Sequence, residues 1–186
     1  MRTRLYIAAI ATATLAACAT TPSDRIRDRF EAQLAGNESA TAALQGWCAK
    51  QGMADPAKIV VEHMDTNGEE PADAIRQMLE VEPDEPLGYR HVRLVCGSTV
   101  MSVAHNWYVP GRLTPAMNET LETTNTPFGR AVAELGFTRQ RLQSIRGPGV
   151  ACPSETILTH RAVLRRKDTK PISTVIECYT PANLAD

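Results

Sequence analysis

No stretch of this sequence is apolar for long enough to cross a bilayer as a helix. The longest such run, residues 5–15, falls short of the roughly 20 residues a span requires. Neither CxxC nor HExxH occurs, so the five cysteines and four histidines match no zinc pattern and no metal is expected. No serine sits in a recognisable nucleophile elbow, and position alone supports no Ser-His-Asp arrangement. Internal repeats are absent, and nothing reads as a linker to a second domain. Charge of one sign is not in excess either: 20 Lys and Arg stand against 21 Asp and Glu. A near-neutral to acidic chain argues against a nucleic-acid partner, which relies on basic patches.

What is present begins with residues 1–18. Arg2 and Arg4 precede the apolar, alanine-rich run, which ends Leu15-Ala16-Ala17-Cys18. That order predicts a cleavable lipoprotein signal peptide over residues 1–17, with Cys18 as the acylated (palmitate-bearing) N-terminus. Several acyl chains give stable anchoring, so the expected membrane partner is reached through Cys18. The expected location is the bacterial cell envelope, facing the periplasm, and Ala19 leans towards the outer membrane. Cleavage removes Arg2 and Arg4, leaving 18 basic against 21 acidic side chains on about 169 residues. A chain of that size builds one proper core. Cys48, Cys96, Cys152 and Cys178 then remain, as disulfides in any of three pairings or as buried thiols.

Residues 19–23 read as a polar tether and 24–35 as a helix with Ile26, Phe30 and Leu34 at four-residue spacing, closed by Gly36-Asn37. The expected segments are thus 1–17 signal, 18–38 tether and N-terminal helix, and 39–186 the main domain. A second helix is predicted over 39–50 with Ser39 as N-cap, and a strand over 59–64. Turn chemistry follows at Asp65-Thr66-Asn67-Gly68, then a short helix or loop from 71. Residues 89–96 and 99–109 form a hairpin through Gly97-Ser98. On its second strand Val100, Ser102, Ala104 and Asn106 share one face, and Met101, Val103, His105 and Trp107 the other. Thr114-Pro115 and Thr126-Pro127 each place a capping hydroxyl before proline at the first helical position. The second of these helices stops at Gly136, and strands over 139–145, 157–166 and 172–180 follow. The class is α+β: an antiparallel sheet of about six strands with helices packed on it.

Several short pieces in this order carry a resemblance. They are Arg93-Leu94-Val95-Cys96-Gly97, Trp107-Tyr108-Val109-Pro110, Thr126-Pro127-Phe128-Gly129-Arg130, His160-Arg161, Lys170-Pro171 and Glu177-Cys178-Tyr179-Thr180-Pro181. Over residues 39–184 the chain resembles chorismate lyase, which splits chorismate into 4-hydroxybenzoate and pyruvate. The resemblance implies a six-stranded antiparallel sheet, a small-molecule site beneath helical flaps, and no metal or organic cofactor. Where the family carries a carboxylate-gripping arginine, four residues before Pro110, this chain has Asn106. Losing that charge-assisted fork forfeits about 2 to 5 kcal/mol of binding to a desolvated carboxylate. Glu177 matches the family's glutamate, the expected catalytic residue, but the segment from Pro171 to it is one residue longer. A one-residue shift flips every side chain unless a bulge absorbs it.

The expected ligand-binding residues are Asn106, Phe128, Gly129, Arg130 and Arg161, with Arg130 or Arg161 as replacements for the lost charge. Asn106 either lines a pocket or bonds a neighbouring loop. Glu177 either faces the pocket or pairs with Arg161 or another basic strand residue, because a buried acid needs a partner. His105 faces away from Asn106 as a surface or core residue, and residues 165–167 are a solvated charge run. Three functions stay open: a binder of a small carboxylated or aromatic ligand, which is favoured; a working lyase; and a structural or interaction protein whose cavity Phe128 fills.

Overall fold

The computed structural model of the protein describes residues 21–66 and 72–185. The expected signal peptide, the lipidation site Cys18 and the Asn67-Gly68 half of the turn lie outside the described residues.

Helix α1 (Pro22–Ala35) starts earlier than the periodicity indicated, within the expected tether. Pro22 occupies the first helical position, where its missing N–H costs nothing. Thr21 and Asp24 form a reciprocal capping box: the Thr21 hydroxyl accepts from the Asp24 N–H at 3.1 Å, and the Asp24 carboxylate accepts from the Thr21 N–H at 3.2 Å. Ile26, Phe30 and Leu34 are buried. Ser39 caps α2 (Ala40–Lys50) as expected, accepting from the Ala42 N–H at 3.4 Å. After β1 (Ile59–His63) and the short α3 (Asp73–Leu79) comes the hairpin of β2 (Gly88–Cys96) and β3 (Thr99–Tyr108). Thr114 caps α4 (Pro115–Thr123) through the Met117 N–H.

Thr126 does not cap. Its hydroxyl accepts from Thr124 Oγ1 at 2.8 Å, and Pro127 takes the cap position without a side-chain bond. The expected helix over 127–135 is therefore two short pieces, α5 (Phe128–Ala131) and a 3-10 turn (Ala133–Leu135), ended by Gly136 at φ +58°. Strands β4 (Thr138–Arg146), β5 (Leu158–Arg165) and β6 (Pro171–Tyr179) complete one six-stranded sheet. Its order is β1-β2-β3-β6-β5-β4, antiparallel throughout, in agreement with the expected class.

Both faces of the sheet are buried except along the edge strand β4, most of whose residues are exposed. The inner face packs Val61, Val92, Met101, Leu158 and Tyr179 against α1 and α2, with Phe30, Leu44 and Trp47 fully buried. On the outer face α3 sets Ile75 and Leu79 against Trp107, Val109 and Ile176. One disulfide serves each face: Cys48–Cys96 ties α2 to the end of β2, and Cys152–Cys178 ties the β4–β5 loop to β6.

Of three register shifts in the sheet, two reset what faces the core. Leu94 pairs with Ser102 but Val95 with Val100, which leaves Met101 as the extra residue. Met101 therefore joins the inner core with Ala104, not Val103 and Trp107 on the outer face, and the expected strict alternation fails there. A second bulge sits on β6: Leu164 pairs with Ser173 and Arg165 with Pro171, so Ile172 is extra. The additional residue between Pro171 and Glu177 is taken up in this way.

Candidate ligand-binding site

Beneath α2 and α5 the inner face encloses a cavity of about 60 Å³. Val61, Val92, Leu94, Ala104, Leu164 and Val175 make its floor apolar, while Phe128 and Phe137 form part of its cover. Phe128 also packs on Tyr108 with ring centroids 5.7 Å apart, and it leaves the cavity open. Gly129 lets α5 lie against the start of α2, since a Cβ there would sit 2.7 Å from Ser39 Oγ.

Asn106 and Glu177 both line this cavity. Asn106 is 5% exposed, and its Nδ2 donates to Ser173 Oγ at 2.5 Å. The structural bond is thus to a neighbouring strand and not to a loop. Its Oδ1 is buried and has no hydrogen-bond partner among the described groups. Glu177 is ion-paired with Arg139 of β4, both side chains nearly excluded from solvent. The same oxygen, Oε2, accepts from Tyr179 Oη at 2.8 Å. Burial pulls the Arg139 guanidinium down, but the adjacent Glu177 carboxylate outweighs it and the net shift is upward. Burial, then the same carboxylate, holds the Tyr179 phenol well above its ordinary range.

The remaining expected ligand residues lie elsewhere. Arg130 is exposed and donates to Gln45 Oε1 at 2.7 Å, away from the cavity wall. Arg161 is in register with Ile176 of the outer face, so it projects from the other side of the sheet to Glu177. Of the partners expected for Glu177, Arg161 or another basic strand residue, the structure has the second, Arg139 of β4. His105 lies on the outer face as expected, with Tyr89 Oη 2.8 Å from Nδ1 and the Ala151 carbonyl 3.0 Å from Nε2.

Sequence reasoning missed Arg90 and Arg139, the two cations that do line the cavity. Arg90 is 6% exposed and is paired in register with Asn106. Its Nη2 donates to the Thr126 carbonyl at 3.1 Å. No carboxylate lies within ion-pair distance of it among the described residues, and its Nε has no partner there. Burial lowers its pKa from the ordinary guanidinium value, with Tyr108 opposing the shift. A fork of N–H donors buried beside an apolar cavity is suited to a carboxylate or another planar anion.

No family model matches the chain. It is 42% identical over 171 residues to "Uncharacterized protein y4mC" from Sinorhizobium fredii, covering 81% of this chain and 72% of that one. The chain belongs to the y4mC family. Among solved structures, the effector domain of PhnF from Mycobacterium smegmatis superposes with TM-score 0.54 at 12% identity, covering 78% of this chain and 90% of that domain. Against the longer PhnF structure the TM-score is 0.55 at 12% identity, over 79% of this chain; the chain spans 65% of that protein's length. A GntR-family transcriptional regulator from Bacillus cereus also matches, with TM-score 0.46, 10% identity and coverage of 67% and 92%. The PhnF likenesses establish the chorismate lyase-like fold.

The neighbours also correct the expected location. Residues 1–18 led to a lipid-anchored envelope protein facing the periplasm, and the likeness to PhnF runs against that location.

Proposed function

We propose that this chain is a small-molecule binding domain that takes a compact carboxylated aromatic ligand in the cavity beneath α2 and α5. The observation that carries the reading is Arg90: a buried cation without an acidic partner, on the wall of an apolar cavity. Leaving a charge so placed is costly unless something pairs with it, and a ligand carboxylate does so through two parallel N–H bonds. Arg90 thus takes the part the resemblance assigned to position 106. Asn106, Phe128 and Gly129 shape the pocket around it. The likeness to the PhnF effector domain favours binding over chemistry.

Catalysis is the second reading, and Glu177 is what favours it. Its Oε2 is held by Arg139 and Tyr179, and among the described residues no partner engages Oε1. Because Arg139 and Tyr179 already occupy this carboxylate, binding without turnover is expected. Calorimetric titration with 4-hydroxybenzoate and a chorismate assay followed by 4-hydroxybenzoate release test both readings. Binding is expected, weakened about thirtyfold or more in Arg90→Leu, with no product formed. Equal affinity in Arg90→Leu would refute the anchor, and turnover abolished by Glu177→Gln would establish the lyase.

A further inference from the structure

Asn106 sits on β3 between β2, which carries its register partner Arg90, and β6, which carries Ser173. Its amide spans that gap. The Nδ2 group is committed towards β6 by the 2.5 Å bond to Ser173 Oγ, so the carbonyl oxygen is the end of the amide turned from Ser173. That Oδ1 is buried, lines the cavity with its side chain, and has no partner among the described protein groups. A buried acceptor without a donor is expensive, and the cost is recovered when a ligand supplies one.

We infer that Asn106 sets the specificity of the cavity: the ligand bears one carboxylate for Arg90 and a neutral hydroxyl or amine donor for Asn106 Oδ1, and a second carboxylate is rejected. The inference rests on the reading of Arg90 given above. Cross-strand partners are about 5 Å apart at Cβ, so the two ligand groups belong close together on one compact skeleton. A second carboxylate would face a carbonyl oxygen, lone pair to lone pair, with its own solvation lost. The other cation in the cavity wall, Arg139, is already neutralised by Glu177 and offers no equivalent second anchor.

Three probes that differ at a single carbon separate the outcomes: phenylacetate (hydrogen), mandelate (hydroxyl) and phenylmalonate (carboxylate). Calorimetry on the intact protein should rank mandelate about tenfold tighter than phenylacetate, with one enantiomer preferred and phenylmalonate weakest. In Asn106→Leu, checked for folding by its melting curve, the tenfold preference for mandelate over phenylacetate should disappear. Ser173→Ala, which frees the amide to turn over, should narrow the same ratio without removing any group from the cavity wall. Equal binding of mandelate and phenylacetate by the unaltered protein, or phenylmalonate binding tightest, would overturn the assignment of Asn106 while leaving Arg90 as anchor. Binding of all three unaffected by Arg90→Leu would instead overturn the reading of the cavity itself.

Discussion

His105 and Asn106 are adjacent on β3 and point to opposite faces of one sheet, and they differ in how far the protein satisfies them. On the outer face His105 has a partner at each ring nitrogen and sits in a ladder of rings, 4.2 Å from His91, with Tyr89 and Trp107 stacked at 4.9 Å. Among the described residues the indole N–H of Trp107 is an unmatched polar atom there. On the inner face Asn106, Arg90, Arg139 and His160 all retain buried nitrogen or oxygen atoms without partners among the described residues. Two faces of similar burial thus divide their work. One is a closed core, and the other keeps hydrogen-bonding capacity in reserve beside a cavity. Unsatisfied groups in an otherwise well-packed sheet call for an explanation, and the proposed ligand site supplies one for the inner face.

The largest expected break in that contrast comes from acid. His160 is fully buried on the inner face, edge-on to Tyr179 at 5.3 Å, with neither ring nitrogen bonded among the described residues. Burial first, then the charges of Arg139 and Arg141, push its pKa down from 6.5 to about 3. Below pH 6.5 the unfolded chain takes up a proton that the folded chain refuses, so stability falls as the pH drops and levels off near pH 3. The loss is at most about 5 kcal/mol. Urea titrations at stepped pH should show this slope, and His160→Phe should flatten it between pH 6.5 and 3. An unchanged slope in the variant would assign the acid sensitivity to other groups.

Somewhat smaller is the cost of breaking the buried pair. Arg139→Leu strands the Glu177 carboxylate among apolar groups and should destabilise the fold by about 3 to 5 kcal/mol. Arg139→Leu with Glu177→Leu should recover much of it, because the stranded charge is then gone. If the single and double variants were equally unstable, the loss would come from packing and not from the unpaired acid.

The sequence made the elements legible, and the bulges hid the pairings. The helix over 39–50, the hairpin and the three late strands follow from caps, turn residues and periodicity, which are local signals. Arg90 was not legible. Counting back from the Gly97-Ser98 turn without a bulge sets Asn106 opposite Tyr89; only the extra residue Met101 brings Arg90 beside it. Arg139 was out of reach for a different reason, since β4 and β6 are separated by β5 and no local pattern says which cation meets Glu177. Glu177 itself was placed on the cavity because the longer β6 segment is absorbed at Ile172, an accommodation that periodicity allows but does not reveal. Arg130 and Arg161 were sensible charges on the wrong surfaces.

The two disulfides sharpen the comparison of faces most finely. Cys48–Cys96 on the inner side closes a loop of 48 residues, and Cys152–Cys178 on the outer side one of 26. Loop-closure entropy assigns each about 3 to 4 kcal/mol and favours the longer loop by about 0.5 kcal/mol. Replacing each pair by alanines and measuring denaturation midpoints would expose that small difference. However, the inner bridge also holds α2, whose N-terminus with Ser39 covers the cavity, whereas the outer bridge holds a loop on the far face. Carboxylate affinity should therefore fall in Cys48→Ala with Cys96→Ala and stay unchanged in the other pair. Equal effects on affinity would mean that the two faces communicate through the sheet, and that the outer core is part of the binding apparatus.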